Sequence, residues 1–96
     1  MARRELVDRW FALTREELPA LADERRWPVR FDHCFQRILL DAACGGRWTE
    51  RVRGRPAYRA LDDARLARAV ALAEAAAAGE ADLFALNRRS LAWRGR

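Results

Sequence analysis

Ninety-six residues, half of them apolar and a third charged, bound one globular domain (1–96) with a single hydrophobic core and exclude a disordered chain. No apolar run approaches the ~20 residues of a membrane span. "MARRELVDRW" reaches Glu5 without an apolar stretch, so no secretory signal is expected, and the reading is a cytoplasmic protein with reduced thiols. The net charge of +5 comes from nineteen arginines and no lysine, against fourteen acids.

No run alternates apolar and polar residues between turn signals, so strands are not expected. Helical periodicity begins at about Arg3 and runs to about Glu17, with Leu6, Trp10 and Leu13 on one stripe. Pro19 then opens a short second helix or kinks the first. "RWPVRF" reads as a connector, because Pro28 disfavours helix at Trp27. Asp32 is placed as the N-cap of a helix beginning at His33. Phe31, Phe35, Ile38, Leu39 and Ala42 fall within ~100° around that helix and form its core stripe, with Gln36 on the polar side. Gly45-Gly46 supplies the stop.

"WTERVRGRPAY" reads as a helical turn and a loop, with Pro56 starting another turn. Asp62 caps a helix over about 63–78, with Leu66, Val70 and Ala73 inward, closed by Gly79. A last helix covers about 81–93, with Leu83, Leu86 and Ser90 at helical spacing. The expected fold class is all-α, a compact single domain of four or five short helices.

Charge is distributed unevenly along this plan. Residues 1–46 hold eight arginines and eight acids, while 60–87 hold two arginines and five acids. The excess lies in residues 47–59, with five arginines against Glu50, and in 88–96, with four arginines and no acid. Each basic segment carries a tryptophan, and tryptophan with arginine suits stacking on bases and contact with phosphate. The same pairing also suits a small core sheltered by arginine stems. The candidate partner-binding residues are therefore Arg47, Trp48, Arg51, Arg53, Arg55, Arg88, Arg89, Trp93, Arg94 and Arg96.

A second candidate site is "DHC". Cys34 would stand in the first turn of its helix, where free N–H groups and the dipole favour a thiolate. His33, Arg37 and Asp41 form a ladder at i, i+4 and i+8, with Arg37 and Asp41 reading as an intrahelical pair. Candidate catalytic residues are His33, Cys34, Arg37 and Asp41, and the alternative for Cys34 is core filling. Some 15 Å of helix separates Cys34 from Cys44, which argues against a shared zinc ion or a disulfide. No metal site and no cofactor motif is expected. Leu40 lies opposite the core stripe, so either the helix is covered on both sides or this face meets a partner.

The strings "RWPVRFDHCFQRILLDAACGGRW", "PAYRAL" and "LNRRSLAWRGR" resemble a group of small bacterial and fungal proteins, over most of residues 26–96. "DHCF", "RI" and "LD" are the most specific part. Members are often labelled GNAT-type acetyltransferases, which implies acyl transfer from acetyl-CoA and an α/β fold with a glycine-rich pyrophosphate turn. This sequence carries no such turn. Three functions follow from the residues. The first is a non-catalytic module docking an acidic partner, nucleic acid or an acidic protein surface, through the two arginine-rich segments. The others are a small enzyme or ligand-binding protein centred on His33, Cys34, Arg37 and Asp41, and a subunit of a larger complex.

Overall fold

The computed structural model describes residues 2–95. In chain order the elements are α1 (Arg3–Ala12), a π-helical segment (Leu13–Glu17) running without a break into α2 (Leu18–Arg25), then α3 (Asp32–Cys44), the single turns α4 (Trp48–Arg51) and α5 (Ala57–Ala60), α6 (Asp63–Ala77) and α7 (Leu83–Trp93). The domain is all-α, 74% helical, with no strand among the described residues. No helix is long and apolar enough to cross a membrane.

The first helix continues past Pro19 because its backbone widens just before it. Proline lacks an N–H, and its ring crowds the carbonyl four residues back. Here the preceding turn is a π turn, with the Leu18 N–H bonded to the Leu13 carbonyl. Inside it, the buried Thr14 hydroxyl donates to the Trp10 carbonyl at 2.9 Å.

α3 sits at the centre and packs against α2, the π segment, α4, α6 and α7. The predicted stripes of the first helix (Leu6, Trp10, Leu13) and of α6 (Leu66, Val70, Ala73) are buried and meet Phe35, Ile38 and Leu39 of α3 in one core cluster. Ala69, Ala73 and Ala76 are fully buried, so small side chains let α6 come close to its neighbours. Leu40 is only 4% exposed within this single chain and needs no partner to cover it.

The start of α3 differs from expectation. Phe31, not Asp32, is the cap: its carbonyl accepts the Cys34 and Phe35 N–H groups at 3.0 and 3.2 Å. Asp32 lies in the first turn and accepts the His33 N–H at 2.7 Å. Phe31 is therefore extended (φ −101°, ψ 152°), leaves the helical phase of the stripe, and is 65% exposed rather than core. At the other end the Gly45 N–H bonds the Ala42 carbonyl and the Gly46 N–H the Asp41 carbonyl; Gly45 takes φ +69°, which a side chain would disfavour. Asp62 caps α6 by accepting the Arg65 N–H at 2.8 Å, and Asp82 caps α7 by accepting that of Ala85 at 3.2 Å.

Several arginines tie elements together. Arg3 donates to the Asp63 carboxylate and to the carbonyls of Tyr58, Arg59 and Leu61, fastening α1 to the end of α5. Arg25 donates to the Ala76 and Ala77 carbonyls at the end of α6, and Arg68 to the Ala43 carbonyl at the end of α3. Arg9 pairs with Glu17 and Glu74 and holds the Glu74 carboxyl below its ordinary range.

Candidate functional site

Asp41, in the last turns of α3, is fully buried and accepts four hydrogen bonds. The donors are the Ser90 hydroxyl at 2.7 Å, the Arg94 Nε at 2.8 Å, the Arg94 Nη2 at 3.0 Å and the Trp48 backbone N–H at 3.0 Å. Burial alone would push this carboxyl up. The hydrogen bonds from Arg94, Ser90 and Trp48, with the Arg94 charge, outweigh burial and hold it below its ordinary value. The same contact raises the pKa of Arg94. One turn earlier, Arg37 donates to the Ser90 Oγ at 3.1 Å and to the Asn87 Oδ1 at 2.9 Å. The ion pair expected between Arg37 and Asp41 is thus replaced by tertiary contacts. α7 supplies Asn87, Ser90 and, just past its end, Arg94, because a buried carboxylate needs more donors than its own helix offers.

Above this joint opens a cleft of about 890 Å³. The first helix contributes Trp10, Phe11 and Arg15, and α3 contributes His33, Gln36, Arg37 and Leu40. The opposite wall is the segment from Arg47 to Tyr58, through Arg47, Trp48, Thr49, Arg55, Pro56, Ala57 and Tyr58, and Arg94 completes the lining. Gln36, expected on a merely polar side, is half-buried and donates to the Thr14 Oγ at 3.1 Å, linking α3 to the π segment.

Among the described residues, five guanidiniums and no carboxylate line this cleft. Arg94 is offset by Asp41, and Arg47 by Glu50 at 3.4 Å. Arg15 and Arg55 form no ion pair among the described residues. They lie instead over aromatic rings, Arg15 at 3.9 Å from the Phe11 centroid and Arg55 at 5.7 Å from that of Trp48. A cation on a ring face keeps its in-plane N–H donors and its charge, so Arg15 and Arg55 leave their parts of the cleft electropositive.

The two sequence-derived sites fare differently in space. His33 lines the cleft, with its side chain 76% exposed, stacked on Phe31 at 5.8 Å and with Nδ1 3.6 Å from Asp32. Cys34 is half-buried and is not part of the lining, while Asp41 lies beneath it, held by Arg94. Both cysteines are free thiols, burial pushes the Cys44 thiol up, and no group of three potential metal ligands occurs among the described residues.

Of the arginine-rich segments, Arg47, Trp48, Arg55 and Arg94 converge on the cleft. Arg51 instead donates to the Gly45 carbonyl at 3.3 Å. Arg53, Arg88 and Arg89 are exposed elsewhere, Trp93 is half-buried outside the lining, and Arg96 lies outside the described residues. Trp10, Phe11, Arg15 and Tyr58 were not among the sequence candidates, since the first three belong to the charge-balanced half. The i, i+4 spacing of Phe11 and Arg15 is the one local signal for them. The chain matches no protein-family model, no curated protein and no solved structure in comparisons with each.

Proposed function

We propose that the protein is a non-catalytic binding module that docks an acidic partner in the cleft between the first helix, α3 and the 47–58 segment. The observation that carries this reading is the convergence of both arginine-rich segments, through Arg47, Arg55 and Arg94, on one concavity whose lining, among the described residues, contains no carboxylate. Arg15 joins them from the charge-balanced half of the chain. A surface that only needed solubility would expose its arginines singly among acids. A lining that holds five guanidiniums and, among the described residues, no carboxylate gains from an external anion.

The test is retention of polyanions at graded salt. A generic single-stranded oligonucleotide should bind at ~50 mM salt and weaken with a log–log slope of about −0.7 per phosphate contact. Replacing Arg15 and Arg55 together by Ala should flatten that slope by one to two contacts, at roughly that value per contact. Replacing Arg88 and Arg89, which lie outside the cleft, should change it less. Polyglutamate serves as the acidic-protein arm. If neither polyanion is retained at low salt, the reading is wrong.

A further inference from the structure

The two guanidinium–aromatic pairs of the cleft are not equivalent. Arg15 sits 3.9 Å from the Phe11 centroid, and Tyr58 forms a T-shaped pair with the same ring at 5.1 Å, so Phe11 already has two close partners. Trp10 is 2% exposed and has no free face. Trp48 is half-buried, and the side chain over it, the exposed Arg55, stands 5.7 Å away. That is close to the ~6 Å limit at which such a contact still attracts. A second planar group can therefore take the Trp48 face by displacing one weakly held, solvent-exposed arginine.

Arg47, next to Trp48 in the chain, supplies an independent observation. Its Nε is buried and finds no acceptor among the described residues. Its Nη1 reaches Glu50 only at 3.4 Å. A buried donor without an acceptor is uncommon in a folded protein, and a small movement of this side chain toward the cleft would let an outside acceptor satisfy it. Trp48 and Arg47 thus put a loosely covered π face and an unfulfilled guanidinium side by side on one wall.

We infer that this wall recognises a nucleotide-like unit, a planar ring stacked on Trp48 and joined to a phosphate held by Arg47 and Arg55. The inference rests on the anion-binding reading above and adds the ring. An acidic peptide offers carboxylates but no use for the Trp48 face, and a sugar phosphate lacks the planar group. The cleft volume of about 890 Å³ accommodates one such unit with part of its neighbours. The unit can arrive as a free nucleotide or within a single strand, since both present the same chemistry.

The experiment compares ligands with and without the ring on the 96-residue chain. Fluorescence anisotropy measures a labelled single-stranded oligonucleotide against its abasic counterpart of equal length and charge. Calorimetry measures adenosine monophosphate against ribose 5-phosphate. The expected result is a preference of about tenfold or more for the base-bearing member of at least one pair. Trp48→Leu should abolish that preference and Trp48→Phe should keep most of it, with circular dichroism confirming that both variants fold. Preference in the oligonucleotide pair alone assigns the site to a strand, and preference in the second pair shows that a free nucleotide suffices. Equal binding of base-bearing and abasic ligands overturns the nucleotide inference while leaving the anion site standing. Absence of all binding at low salt overturns both.

Discussion

On one side of α3, Phe35, Ile38, Leu39 and Ala43 are fully buried in the apolar cluster shared with the first helix and α6. On the other side, Gln36 bonds Thr14, Arg37 bonds Asn87 and Ser90, and Asp41 collects Ser90, Arg94 and the Trp48 N–H. The apolar face is held by non-directional burial, where another apolar side chain of similar volume can serve. The polar face is held by single donor–acceptor matches, each of which aims a residue of the cleft. The first face holds the domain together, and the second sets the shape of the concavity above it.

Removing the centre of either face should give the largest effects. Asp41→Ala should cost about 3–5 kcal/mol in denaturant unfolding, because it strands the Arg94 charge and the Ser90 hydroxyl. Phe35→Ala should also cost about 3–5 kcal/mol, through lost burial and a cavity. The faces separate under shape-preserving changes. Ile38→Val should cost only about 0.5–1.5 kcal/mol. Asp41→Leu should remain severe, since it keeps the branching at Cγ but leaves four donors without their acceptor. If Asp41→Leu proves as mild as Ile38→Val, the distinction between the faces fails.

Acid unfolding tests the polar face by a different route. Asp41 has a folded pKa below its reference value of 3.8, so its contribution is fully present above that value and is lost as pH falls below it. Glu74, also lowered, loses its contribution over the same acidic range. Stability measured against pH should therefore decline below about pH 4 in the parent protein, and less steeply in Asp41→Asn, with the Glu74 part remaining. An unchanged slope in that variant would show that Asp41 is not a principal source of the acid sensitivity.

Smaller effects mark the edge of the polar network. Gln36→Ala should cost about 1 kcal/mol through the lost bond to Thr14. Arg15→Ala and Arg55→Ala should each leave stability within about 0.5 kcal/mol, because neither side chain is in an ion pair among the described residues. Those two substitutions should instead appear in polyanion binding. A large stability loss at Arg15 or Arg55 would place them with the structural arginines Arg3, Arg9, Arg25 and Arg68, and would weaken the case for a ligand.

Much of the framework was legible in the sequence, because it depends on local periodicity and caps. Leu6, Trp10 and Leu13, then Phe35, Ile38 and Leu39, then Leu66, Val70 and Ala73 repeat at helical spacing, and a helix buries whichever stripe is apolar. Asp62 and Gly45 mark helix ends by side-chain and backbone properties that act within a few residues. Phe31 shows the limit of that reading, since moving the cap by one residue turned a stripe member outward. The partner of each polar side chain, by contrast, follows from how the helices pack. The distance along the chain from Asp41 to Ser90 and Arg94, from Arg37 to Asn87, and from Arg15 to Arg55 exceeds anything a helical repeat encodes. Charge counting by segment placed Arg15 in a neutral half and Arg88 in a basic one, yet Arg15 lines the cleft and Arg88 does not. Arginine reaches far and bonds in several directions, so its role depends on which carboxylates, carbonyls and rings the packed helices bring within its length.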